Sequence, residues 1–163
     1  MVGGKFQVSD DSLFTDPTDL YTIEPWESYI PQKKTVGPVR GRYVRYCIPK
    51  RPEKRYIFNE TGWIAFFKKT KDGYKKCKGD YMAKKGISRN NLQKILDEDL
   101  LSYVELFCNK TGIDIETDGL VSYWSSPDSL WVGMDLGRPV NIGMIGYCPR
   151  NDKNQIYPGV HYE

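Results

Sequence analysis

Near the C-terminal end of the sequence, Arg150-Asn151-Asp152-Lys153-Asn154, with Tyr157 close behind, brings together residue types suited to reading hydroxyl groups. Arginine offers a rigid planar donor fork, and asparagine offers both a donor and an acceptor, so the two can bind neighbouring hydroxyls in pairs. An aromatic ring beside them gives the C–H face of a sugar something flat to lie on. Tyr157 is one such ring, and Trp124, in the turn-rich Tyr123-Trp124-Ser125-Ser126-Pro127, is another. A large aromatic in a turn is costly unless it packs or binds something; Trp26, after Pro25, has the same character. A competing account has Arg150 and Asp152 pairing with each other simply to hold the loop.

Catalytic chemistry finds less support. His161 is the single histidine, and Ser-His-Asp or Cys-His catalysis would have to use it, with no motif flanking a serine or cysteine to help. Asp114, Glu116 and Asp118 alternate along one short run, which reads as a solvated edge rather than a glycosidase pair facing a cleft. Neither a G-x-x-x-x-G-K-S/T nor a G-x-G-x-x-G phosphate loop occurs. The four cysteines, Cys47, Cys77, Cys108 and Cys148, form no C-x-x-C pair that would suggest zinc. Cys47 and Cys148 sit in apolar runs and read as small buried hydrophobes. A disulfide connectivity is not legible. The Asn59-Glu60-Thr61 and Asn109-Lys110-Thr111 sequons read as coincidence. The expectation is a protein that is not an enzyme and carries no cofactor.

The elements that must position these residues are read from periodicity. Trp131, Gly133 and Asp135 alternate with Val132, Met134 and Leu136; Gly137-Arg138-Pro139 suggests a turn; a second run goes from Val140 through Ile142 and Met144 to Cys148. Period-two alternation bounded by Gly and Pro predicts two short antiparallel strands, Trp131–Leu136 and Ile142–Cys148. Upstream, Tyr43–Cys47 alternates and Gly62–Phe67 is a compact apolar strand followed by a Lys71-Asp72-Gly73 turn. Val44, Ile64, Val132, Leu136 and Ile145 are core candidates, as are Trp63 and Trp131. Between Ser88 and Phe107, Leu92, Ile95, Leu96, Leu100, Val104 and Phe107 recur at helical spacing.

At 163 residues, with ten prolines and fifteen glycines, the chain suits one turn-rich domain with a real core. The formal charge is only +3, so the lysines between Lys68 and Lys78 and at Lys84-Lys85 read as a solvated surface, not a nucleic-acid site. Met1-Val2-Gly3-Gly4-Lys5 lacks the apolar core of a signal peptide, and no apolar run is long enough to span a bilayer.

The stretch Trp131 to Glu163 resembles the discoidin family, also called coagulation-factor type C domains, which are galactose-binding-like β-sandwiches. The matching pattern is W-V-G-x-D-L-G-x-P-x-x-I at Trp131–Ile142, then Y-x-P-R-N-D at Tyr147–Asp152, and G-x-x-Y-E at Gly159–Glu163. Asp97-Glu98-Asp99 with Ser102 looks like the family's A-x-D-G-D-x-x-T turn, with Glu98 where glycine is usual. Gly41–Cys47 and Gly62–Phe67 look like the back half of such a domain, with Trp63 where the family commonly has a glutamate. The resemblance implies the back half of one unit over residues 1–79 and the front half of the next over 80–163. These either combine as one circularly permuted sandwich or are a piece of a tandem array; the permuted single domain, 1–163, is the preferred reading.

The fold class so implied is an all-β antiparallel jelly-roll sandwich with one short helix, ending near Leu96 before an acidic turn at Asp97–Asp99. Trp63 and Glu98 replace residues that complete the family's structural calcium site, so no metal is expected. Discoidin-type carbohydrate modules bind through loops at one end of the sandwich, which makes Arg150 and Asn154, with Asp152, Tyr157 and Trp124, the expected ligand contacts. The implied function is a non-catalytic carbohydrate-binding or adhesion module of a secreted or surface bacterial glycan-processing protein, extracellular, at the cell surface or periplasmic. Its partners would be a glycan or cell-surface carbohydrate and neighbouring domains of a parent protein, with no nucleic acid and no membrane insertion. The alternative is a structural spacer domain with no ligand of its own.

Overall fold

The computed structural model describes residues 1–25, 31–49, 56–57, 61–84, 89–96, 123–124 and 130–149. Its strands are β1 (Lys5–Ser9), β2 (Thr18–Thr22), β3 (Gln32–Cys47), β4 (Tyr56–Ile57), β5 (Thr61–Thr70), β6 (Gly73–Lys76), β7 (Asp80–Ala83), β8 (Tyr123–Trp124) and β9 (Trp131–Pro149), with a helix α1 at Arg89–Leu96. Seven strands make one sheet in the order β2-β1-β3-β9-β5-β6, with β7 also on β9; β4 and β8 form a separate pair. Every pairing is antiparallel.

Two long strands organise the sheet. The 16 residues of β3 lie against the 19 of β9, from Gln32 opposite Tyr147 to Cys47 opposite Trp131. On its other edge β9 takes β7 beside Val132–Asp135 and β5 beside Ile142–Pro149. The pair bends in the middle, where both strands carry extra residues: between Gly41 and Tyr43 on β3 the partner steps from Val140 to Asp135. Gly137 sits in that bulge at φ +73, a conformation that suits glycine. The bend folds the sheet over itself. Phe6 of β1 meets Phe66 of β5 at 5.6 Å between ring centroids and Tyr147 of β9 at 5.9 Å, so the two half-sheets face each other across one core, as in a β-sandwich.

That core holds Phe6, Val8, Val44, Tyr46, Ile64, Phe66, Val132, Met134, Ile142, Ile145 and Tyr147, and the helix adds Leu92, Ile95 and Leu96. Their i, i+3, i+4 spacing puts one apolar stripe of a short helix against the sheet. Lys76 Nζ donates to the Leu96 carbonyl at 3.3 Å, meeting an end group the helix itself leaves unbonded. On the opposite face of β5 and β9, Trp63, Ala65, Phe67 and Cys148 form a second small cluster with Met144.

The fold class expected from the sequence is corrected here. Trp131–Leu136 and Ile142–Cys148 are not two strands joined at Gly137-Arg138-Pro139; they are one strand, because β3 bonds to both sides of that tripeptide and absorbs it as a bulge. The described strands form one bent sheet, and the apolar residues of α1 pack against its core. Residues 68–84 carry the end of β5 and the whole of β6 and β7. The supported description is an all-β antiparallel sheet of generic sandwich or jelly-roll-like form.

Among the core candidates, Val44, Ile64, Val132 and Ile145 are fully buried, while Leu136 is half-buried against the core. Trp63 is buried in the second cluster, but Trp131 is not a core residue; it lies on the outer face of the sheet, its ring tilted against Phe14 at 5.7 Å between centroids.

Candidate functional site

The outer face of the β2-β1-β3-β9 half-sheet gathers the charged and aromatic residues that the strand alternation sends away from the core. Register puts Asp19, Gln7, Arg45 and Gly133 in one row across four strands, with Tyr43 and Asp135 in the next. Gln7 is the hub. Its Oε1 accepts from Arg45 Nε at 2.7 Å and from the Cys47 thiol at 3.2 Å, and its Nε2 donates to Asp19 Oδ1 at 2.5 Å. Lys5 Nζ donates to the other Asp19 oxygen at 2.6 Å.

Phe14 closes this row from above. Its ring lies 4.2 Å from the Arg45 guanidinium carbon, which also sits 5.7 Å from the Trp131 ring. Phe14 holds φ +53, uncommon for a bulky residue. Asp11 secures it: the Asp11 carboxylate accepts from the Leu13 and Thr15 amides at 3.0 Å and from the Thr15 hydroxyl at 2.6 Å. These bonds, led by the Thr15 hydroxyl, hold the Asp11 carboxyl below its usual range.

At the bend, Arg42 grips Asp135 with both prongs, Nε to Oδ1 and Nη2 to Oδ2, each at 2.7 Å. Asp135 Oδ1 also accepts from the Gly137 amide at 2.8 Å, so one carboxylate ties β3 to the bulge. The Arg42 bonds, opposed by partial burial, keep Asp135 below the ordinary carboxylate range. Asp19 is lowered too: burial, the largest single influence, raises it, but bonds from Gln7 and Lys5 and the nearby Arg45 charge outweigh that.

A group depressed in the fold contributes stability above its unfolded pKa, about 3.9 for aspartate, and loses it as pH falls through the folded value. Asp135→Asn is thus expected to lower the melting temperature at neutral pH, and the gap to the parent protein is expected to close in acid below about pH 4. A gap that stays constant across an acid titration would remove Asp135 from the acid response. Among the thiols, burial pushes Cys77 up to about 11 and also raises Cys148 and Cys47, so none of the three is readily a thiolate at neutral pH.

Chemically this face is closed: its planar groups bond to one another, and its stacking faces are taken by Phe14 and Arg45. Among the described residues no group of three or more His, Cys, Asp or Glu stands together as metal ligands. Asp97 and Asp99 lie outside the described residues, as do Glu98, Ser102, His161, Cys108 and Trp26.

Arg150, Asp152, Asn154 and Tyr157 lie outside the described residues, and their segment begins directly after Pro149, which pairs with Thr61 at the start of β5. Trp124 lies on β8, its backbone paired with Tyr56.

Sequence reasoning missed Phe14, Gln7 and Asp19. The available signals were the Asp11-to-Thr15 turn chemistry and an Arg45 that alternation had already aimed away from the core. Comparison of the chain with known protein families, with curated proteins and with solved structures finds no match.

Proposed function

We propose that this chain is a non-catalytic carbohydrate-binding or adhesion module of a secreted or surface-borne bacterial glycan-processing protein, acting through the Arg150–Asn154 loop. The observation that carries this reading is the anchoring of β9, the strand that precedes that segment in the sequence. β9 is laddered to β3 as far as Tyr147 and to β5 as far as Pro149, the residue that precedes Arg150 in the sequence. Rigid strands bearing a polar loop are the usual platform for binding. The discoidin-like phrase of Trp131–Glu163 adds the ligand class, and the Arg, Asn and Tyr content of the loop suits a sugar's hydroxyl rim and C–H face. Such a module works at a cell surface or in the periplasm, beside other domains of its parent protein.

A ligand-free spacer is the second reading. One observation favours it: the polar groups on the outer face bond mainly to each other, with Gln7 joining Arg45 to Asp19 and Arg42 holding Asp135.

A glycan array with the isolated protein, followed by Arg150→Ala, separates the two. Loss of about 1.5–3 kcal/mol of binding, the range for a hydrogen bond to a charged group, is expected with the fold intact by circular dichroism. A variant that unfolds would make Arg150 a loop tie and favour the spacer. A folded variant that binds undiminished would move the site, and Trp26 would be tested next.

A further inference from the structure

We propose that the β5–β6 hairpin is a second binding surface, and that its ligand is an acidic polysaccharide. This goes beyond the Arg150 loop: the hairpin tip is at the far end of β5 from Thr61, about 30 Å away at the usual rise per strand residue.

The hairpin concentrates positive charge in a way that folding alone does not favour. Lys68 stands directly opposite Lys75 in the β5–β6 register, and Lys69 opposite Tyr74, with Lys71 in the turn. Like charges at facing positions destabilise a strand pair. The only acid between Lys68 and Lys76 is Asp72, and among the described residues no carboxylate is within ion-pair distance of Lys68, Lys69, Lys71 or Lys75. Strand alternation puts Lys69 and Tyr74 on the outer face of the sheet and Lys68 and Lys75 on the other, with Phe67 two residues back along β5; Lys33, from the facing end of β3, reaches to 5.5 Å from that Phe67 ring. Tyr74 is 41% exposed and lies across Gly143, where an added Cβ would come within 3.0 Å of its ring. Gly143 thus gives the ring a flat seat and leaves its other side open.

A chain bearing repeated carboxylates or sulfates neutralises Lys33, Lys69 and Lys71 along this face, while one sugar ring lies on Tyr74. Single-stranded nucleic acid fits less well, because it binds through successive stacking aromatics, and Tyr74 is the one exposed ring that the described outer face offers beside these lysines.

The test is binding of polygalacturonate, heparin, neutral dextran and a poly(dT) oligonucleotide to the full chain, and then to Lys33→Glu/Lys69→Glu. The parent is expected to bind polygalacturonate or heparin, with affinity falling steeply from about 0.01 M to about 1 M salt, and to ignore dextran. Preference for polygalacturonate would name carboxylates, and preference for heparin sulfates. The double variant is expected to lose about tenfold or more in affinity and to melt close to the parent, since both side chains are exposed on the surface. Arg150→Ala is expected to leave this binding unchanged, which keeps its failure distinct from that of the loop reading. Equal binding by the double variant would overturn the proposal. So would tighter binding of poly(dT) than of either polysaccharide, which would make the strip a nucleic-acid surface.

Discussion

Phe6→Ala is expected to destabilise the protein by about 3–5 kcal/mol, the range for emptying a fully buried phenylalanine site. The reason is where the ring sits. Phe6 has no exposure and touches three other aromatics: Tyr46 at 5.0 Å on the neighbouring strand, Phe66 at 5.6 Å and Tyr147 at 5.9 Å. Tyr46 belongs to its own half-sheet; Phe66 and Tyr147 belong to the opposite one. Neither half can collapse into the space, because β3 and β9 run through both and fix their separation. A loss of this size is a large part of a typical domain's total stability. Urea unfolding is expected to show one transition, shifted to lower denaturant, with its slope unchanged. Two separated transitions, or a loss below about 1 kcal/mol, would mean that the half-sheets do not share a core.

How far the sequence could be read follows from what interrupts its periodicity. Val44 and Tyr46, and Val132 and Met134, were legible because nothing disturbs alternation there, and all four are buried. Beyond Gly137 the same rule fails twice. Gly137-Arg138-Pro139 has turn composition, yet a long partner strand bonds on both sides of it, and pairing partners 93 positions apart, such as Arg42 and Asp135, leave no local trace. At Gly143 a second irregularity shifts the faces: Ile142 and Ile145 point into the core, while Met144 packs on the opposite side with Phe67. Strict alternation would have kept Ile142 and Met144 together. Trp131 misled for another reason. Its size suggests burial, but its position in step with Gly133 and Asp135 decides its face, and the loop bearing Phe14 supplies the cover there. The candidate ligand loop, from Arg150 onward, was legible only as composition and resemblance, since loop residues carry no period that fixes their direction.

The second large effect is expected at Gly133, on the half of β9 that lies between β3 and β7. Gly133 is in register with Arg45 on one side and Met82 on the other. A Cβ built there would collide with the Val44 carbonyl oxygen and lie 2.9 Å from the Arg45 Cα and 3.0 Å from its Cβ. The obstacle is mostly backbone, and it cannot swing aside as a flexible side-chain end would. Moving β3 away would stretch its ladder to β9, disturb the bond from Arg45 to Gln7 and lift Val44 and Tyr46 from the core. Gly133→Ala is therefore expected to cost at the upper end of the overpacking range, about 3 kcal/mol, and to lower the melting temperature by about 6–12 °C in a chain of this size. Gly37→Ala is the control. Gly37 is on β3 with nothing within 4 Å of an added Cβ, so alanine there should be neutral or slightly stabilising, through lost freedom of the unfolded chain. Opposite signs at the two glycines would fit a β9 clamped on both edges as one continuous strand. A harmless Gly133→Ala would mean that β3 and β9 lie further apart at this point, and the single-strand description of Trp131–Pro149 would have to be given up.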